Sequence, residues 1–180
     1  MKNRNFCIIV ASLLLETLML TFVFSSVCIL IKIPVGYYSL LIGVFASFLL
    51  CKVVSGIKWD TLFLSGLTAI SLIAVTMYLS YYLYDYSWDG QWYHSHIIWE
   101  LSKGWNPITE GINEGGLFDD ELWANYYQKN YELLASIFVC ITNNLNTGKA
   151  VNMLLFGGSL VFVYLSVNKS IPNYFVIQDF

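Results

Sequence analysis

The chain has 180 residues, of which 57% are hydrophobic and 12% charged, with a formal net charge of -3. Ordinary soluble domains carry roughly 25% charged residues, so this composition points to a membrane rather than to water. The acidic balance and the single arginine, Arg4, exclude the clustered basic face that nucleic-acid binding requires.

Crossing the hydrocarbon core takes about 20 apolar residues. The first such run, residues 6–31, follows Lys2 and Arg4 and is broken only by Glu16. A secretory signal has an apolar core of roughly 7–15 residues and a small-residue exit. This run is longer, lacks an Ala-x-Ala site and leads into more apolar segments, so it reads as an uncleaved anchor. Glu16 is costly in lipid and is expected to face the bundle interior. With no basic residue in the neighbouring runs, it either bonds Ser or Thr or is protonated, and proton transport is a further reading. Residues 35–54 and 61–83 form the next two spans, and 148–167 the fourth. No charge occurs from Ile33 to Cys51, from Thr61 to Tyr84 or from Ala150 to Asn168. Cys7, Cys28, Cys51 and Cys140 sit inside apolar runs without Cys-x-x-Cys spacing, which fits packing or lipid-facing roles.

Basic residues near the spans set the orientation. With the N-terminus in the cytoplasm, Lys2, Arg4, Lys52, Lys58 and Lys169 lie inside, and Lys32, Lys103, Lys129 and Lys149 lie outside. Of the outer lysines, Lys103 and Lys129 lie in a long acidic segment, which the rule discounts. The expectation is a multi-pass plasma-membrane protein with residues 84–147 on the extracytoplasmic side.

That segment holds nine of the twelve Asp and Glu residues, between Asp85 and Glu132, and both histidines. From Gly90 to Lys103 the pattern predicts a helix lying flat at the interface, where Trp and Tyr are favoured. Asp89, Tyr93, His96, Glu100 and Lys103 would form one stripe, with Ile97, Ile98 and Leu101 on the other side alongside Trp92. Gly104 is a natural terminator and Pro107 prevents continuation. Gly115-Gly116 marks a connector. The apolar run Leu133 to Ile141, within a region from Ala124 to Asn143, is short for a span. A second interfacial or re-entrant helix is expected there, with a fifth span as the alternative. The fold class is thus all-α: a single multi-span transmembrane helical bundle over 1–180, with two interfacial helices in a long outer loop.

Each polar residue in the loop has a plain reading beside a functional one. Asp85 and Asp89, either side of Trp88, suit helix capping as well as acid–base chemistry. His94 and His96 point to different sides of a helix, whereas His96 and Glu100 share a face. The Trp and Tyr residues form an interfacial belt or a platform for a sugar. Lys129 either snorkels at a membrane edge or meets a lipid phosphate.

The order Asp89, Tyr93, Ile97, Leu101, Gly104, Trp105 and Pro107 resembles the first outer loop of GT-C glycosyltransferases, such as the protein O-mannosyltransferases and lipid A aminoarabinose transferases. Ser87-Trp88-Asp89-Gly90-Gln91, Tyr93-His94 and Gly104-Trp105-Asn106-Pro107 are similar to strings in large bacterial membrane proteins of that superfamily. Lys129 precedes the second apolar run, as a family lysine does, although the family's two prolines are missing. The resemblance covers about 85–167 and implies the N-terminal portion of a larger enzyme. It implies a polyprenyl-phosphate-linked sugar donor held in membrane lipid and an inverting transfer to a cell-envelope acceptor. By position, Asp89 is the base, sometimes with a divalent metal nearby, and Asp85 joins it as a catalytic carboxylate. Trp88, Tyr93, His94, His96 and Lys129 bind substrate. The other reading is a non-catalytic scaffold or subunit that works with further membrane subunits.

Overall fold

The computed structural model describes residues 2–84, 94–111 and 129–170, and within them every regular element is a helix. The long helices are α1 (Lys2–Leu30), α2 (Tyr37–Ser55), α3 (Trp59–Tyr81) and α6 (Ala150–Ser170). Two short helices, α4 (Ser95–Ser102) and α5 (Asn130–Thr142), fall between α3 and α6, and a 3₁₀ turn, Leu145–Lys149, leads into α6. Four helical stretches are long and apolar enough to cross a membrane: Asn5–Leu30, Tyr37–Ser55, Trp59–Tyr81 and Leu145–Leu165. The expected spans match these within a few residues at each end. At 1.5 Å per residue the shortest is about 28 Å long, close to the hydrocarbon thickness.

What the long helices bury fits a lipid solvent. The inner face of α2 is Ser39, Gly43, Ser47 and Cys51, at strict intervals of four, and α3 turns Ser65, Gly66 and Ala69 inward. Large residues point outward, with Phe45 66% and Phe63 69% exposed. Small residues at these two helix contacts fit packing in lipid, where close backbone approach replaces the hydrophobic effect, while Leu13, Leu18, Leu62 and Ile73 fill the remaining interior. At the α1–α2 crossing a Cβ on Gly43 would lie 2.0 Å from Thr21 Oγ1 and 2.9 Å from the Thr17 carbonyl. Beside it, the Thr17 and Ser47 hydroxyls are 2.8 Å apart. Thr21 and Ser25 donate their hydroxyl protons to the carbonyls one turn back. Glu16 is half-buried in α1, and its Oε2 has no hydrogen-bond partner among the described residues. Cys28 and Cys51 are buried in helix packing, and Cys7 is exposed.

α5 is not a fifth span. Its 13 residues make about 20 Å of helix, too short for the core. Both of its ends also stay at one end of the bundle. Lys129, just before α5, sits over Trp105, whose neighbour Asn106 bonds the Ile29 carbonyl at the end of α1. At the far end of α5, Cys140 Sγ lies 3.9 Å from the Val35 carbonyl, before α2. In the turn that follows, Asn146 bonds the Tyr81 carbonyl where α3 stops. Residues Leu133 to Val139 are all buried. The apolar ones share a cluster with Leu18 of α1, Met77 of α3 and Val151 of α6. α4 and α5 therefore form a layer across the bundle end.

Candidate functional site

Within this layer the two short helices run side by side and parallel. At their entrances His94 Nδ1 lies 2.5 Å from Glu132 Oε1. Two turns on, Cys140 Sγ donates to the Ser102 carbonyl at 3.3 Å. Both contacts join residues 38 apart, so a single register holds along the pair. Past the helix ends Lys103 Nζ donates to Asn143 Oδ1.

Local sequence explains why α4 stops where it does. Gly104 has φ +98, its N–H bonds the Leu101 carbonyl, and the N–H of Trp105 bonds that of Glu100. These are the two bonds of a Schellman motif, with glycine in the left-handed position. The reversal folds Trp105 back into the core, where its Nε1 donates to the Glu110 carbonyl at 2.9 Å. Asn106 is 8% exposed and donates to the Ile29 carbonyl at 2.9 Å, pinning the layer to α1.

Glu132 is the one charged side chain in the buried set of the described residues, at 2% exposure. It lies in the first turn of α5 and faces the first turn of α4, so two helix N-termini favour a negative charge there. His94 is 30% exposed and meets Tyr131 edge to face, with centroids 6.5 Å apart. Lys129 is half-buried, its ammonium 5.9 Å from the centre of the Trp105 ring. Burial pushes the Lys129 amine below the usual lysine range, and the Glu132 carboxylate partly pulls it back. Burial likewise raises the Cys140 thiol, against the opposing charge of Lys103.

No family model, curated protein or solved structure matches this chain. The site therefore stands on its own geometry and on the motif layout. Of the residues the sequence singles out, His94 and Lys129 converge on Glu132. His96 faces Glu100 at 3.9 Å instead, as the helical stripe predicts. Ile97, Ile98 and Leu101 are buried, as the other side of that stripe requires. Asp85, Trp88, Asp89 and Tyr93 lie outside the described residues. Among the described residues no group of three or more His, Cys, Asp or Glu side chains is arranged to hold a metal ion. Sequence reasoning misses Glu132 as a site residue. Its signal is a lone carboxylate heading the apolar run Leu133 to Ile141.

Below the layer, α1, α3 and α6 enclose a groove of about 390 Å³, lined by residues such as Phe6, Val10, Leu14, Leu72, Met153 and Gly157. The hydroxyls of Thr68 and Thr76, which also line it, are bonded to carbonyls of their own helix at 2.9 and 2.7 Å. The groove thus presents hydrocarbon. Leu14 and Leu154 belong both to its wall and to the apolar cluster beneath α5.

Proposed function

We propose that this protein is a GT-C-like glycosyltransferase, or the N-terminal portion of one, acting at the extracytoplasmic face of the plasma membrane. The observation that carries the reading is the buried Glu132 paired with His94 in a layer over the span ends. The half-buried Lys129 ammonium beside Trp105 suits the phosphate of a lipid-linked donor. The groove between α1, α3 and α6 supports the same reading, since its size and apolar lining suit part of a polyprenyl tail.

In this reading the Asp89 carboxylate takes the proton of the acceptor hydroxyl. The acceptor oxygen attacks the anomeric carbon from the face opposite the phosphate. The bond from that carbon to the phosphate oxygen breaks, and polyprenyl phosphate leaves with the electron pair. Asp85 assists Asp89. Lys129 meets the donor phosphate, and Trp88, Tyr93, His94 and His96 take substrate-binding roles by their position in the motif. The test is transfer of labelled sugar from a polyprenyl-phosphate donor by the longest native form in proteoliposomes. Asp89→Asn is expected to abolish transfer without loss of folded protein; unchanged transfer would remove Asp89 from the mechanism. Orientation is read in a cysteine-free background. Glu110→Cys should label only from outside and Lys58→Cys only from the cytosol.

A second reading, a non-catalytic membrane scaffold, draws on α6. No described atom comes within 4 Å of a Cβ built at Gly157, so this face accepts a further helix. A folded, correctly oriented protein that transfers no sugar but co-purifies with another membrane subunit favours it.

A further inference from the structure

We propose that the lipid-facing stripe of α1 docks a second copy of this chain, with the two Glu16 carboxyl groups meeting each other inside the bilayer. This contact is independent of whether the protein transfers sugar.

Glu16 stands about 17 Å from the start of the apolar stretch Asn5–Leu30 and about 21 Å from its end, so it lies near the middle of the hydrocarbon. Its Oε2 is buried and has no hydrogen-bond partner among the described residues. Nearby hydroxyls are engaged, Thr17 with Ser47 and Thr21 with the Thr17 carbonyl. No charge occurs from Ile33 to Cys51, from Thr61 to Tyr84 or from Ala150 to Asn168. Lys52, in the last turn of α2, is taken up by the Ile57 carbonyl and the Trp59 ring. A partner for Glu16 therefore comes from outside these four helices, because an unsatisfied carboxyl in hydrocarbon is costly.

The position of Glu16 on α1 indicates the side from which that partner arrives. Ser12, Glu16, Met19, Val23, Ser26 and Leu30 follow one another at intervals of three and four, the spacing of a two-helix seam. Met19, Val23 and Leu30 are exposed, and Ser12, Glu16 and Ser26 are half-buried. Leu14, Thr21 and Ser25 are buried on the opposite side. Ser26 gives its hydroxyl proton to the Phe22 carbonyl, so this small residue allows close approach without stranding a donor.

Copies inserted with one topology are related by a two-fold axis along the membrane normal. Residues on the seam then meet their own counterparts at equal depth. Few polar side chains satisfy themselves in that arrangement. Two lysines repel, whereas two carboxylic acids close a ring of two O–H···O bonds, each donating its proton to the other. Lipid disfavours the charged form and so favours the acid that the pair needs. Self-complementarity selects a second copy over a foreign helix. In the dimer both carboxyls sit between helices, where intramembrane ionisable residues are usually found.

The full chain in proteoliposomes tests the contact. Copies carrying donor and acceptor dyes should show energy transfer that rises with the protein-to-lipid ratio and falls when unlabelled wild type is added. Glu16→Leu should weaken association about tenfold, for two interhelical hydrogen bonds lost. Glu16→Ala gives the same readout should the leucine variant fail to insert. Glu16→Gln, whose amide both donates and accepts, should retain association. In a cysteine-free background, Val23→Cys should form a disulfide between copies under copper–phenanthroline oxidation. Phe45→Cys, exposed to lipid on α2, should not.

A wild type that stays monomeric at every ratio overturns the proposal and points to a basic helix of another protein as the partner of Glu16. Glu16→Leu associating as tightly as wild type also overturns it, as does association lost in Glu16→Gln. A disulfide at Phe45→Cys with none at Val23→Cys places the contact on another face and overturns it too.

Discussion

Replacing His94 by leucine removes the hydrogen-bonding partner of a carboxylate that is 2% exposed. Leaving a buried carboxylate without its hydrogen-bond donor costs about 3 kcal/mol or more, because it keeps its desolvation penalty. His94 is itself 30% exposed, so water reaches one side of the pair. The low end applies, and we expect His94→Leu to lose about 3 kcal/mol. Glu132→Leu strands only a partly solvated imidazole and should cost about 1–2 kcal/mol. In the double variant an apolar pair fills the space between α4 and α5. The neighbours Leu133, Leu134, Ile97 and Ile98 are already apolar and buried. Such replacements are often neutral, so the double variant should lie within about 1 kcal/mol of wild type. The two single losses therefore must not add; the coupling energy should be about 3–5 kcal/mol. Reversible unfolding in mixed micelles, followed by tryptophan fluorescence and circular dichroism, measures all four corners of the cycle. Additive losses, or a His94→Leu variant as stable as wild type, would refute the claim that Glu132 is a buried charge sustained by His94.

The Lys129 amine should acylate along a pH profile centred below that of free lysine, because burial disfavours its charged form. Glu132→Gln should shift that profile further down, and a mass-spectrometric pH series checks both. The sign for stability follows: the unfolded chain holds this proton more tightly, so the contribution of Lys129 rises with pH towards the ordinary lysine value. Gly43→Ala should destabilise by about 1 kcal/mol in an unfolding titration, since overpacking of about 1–3 kcal/mol outweighs a helix-propensity gain of up to about 1. Gly157→Ala, where a Cβ meets no described atom within 4 Å, should change stability in the opposite direction. Lys32 has φ +64 at the end of α1 and is exposed. Lys32→Gly should therefore stabilise by about 0.5–1 kcal/mol in the same titration, as relief of left-handed strain exceeds the added chain entropy.

Part of the outer segment's helix pattern is legible in its residue spacing. Gly104 ends α4 through backbone bonds to residues three and five positions back, all within one stretch of chain. The His96–Glu100 pairing is likewise an i,i+4 relation that any helix imposes. The burial of Ile97, Ile98 and Leu101 follows from the same periodicity. Glu132 is not legible as a site residue, because its partner is 38 residues away and no local spacing connects them. Read alone, it is merely an acidic residue in the first turn of a helix.

The sequence by itself determined the four spans and the helical class. The length of an apolar run and the presence of a charge within it are local properties, and lipid leaves backbone polar groups few alternatives to a helix. Only the tertiary structure decided that α5 lies across the bundle end instead of crossing the membrane, that Gly43 lets α1 and α2 approach, and that a buried carboxylate meets a histidine there. Those outcomes depend on which surfaces of distant helices fit together. Packing and the burial of a charge are relations between segments, and a linear pattern does not encode the distance between them.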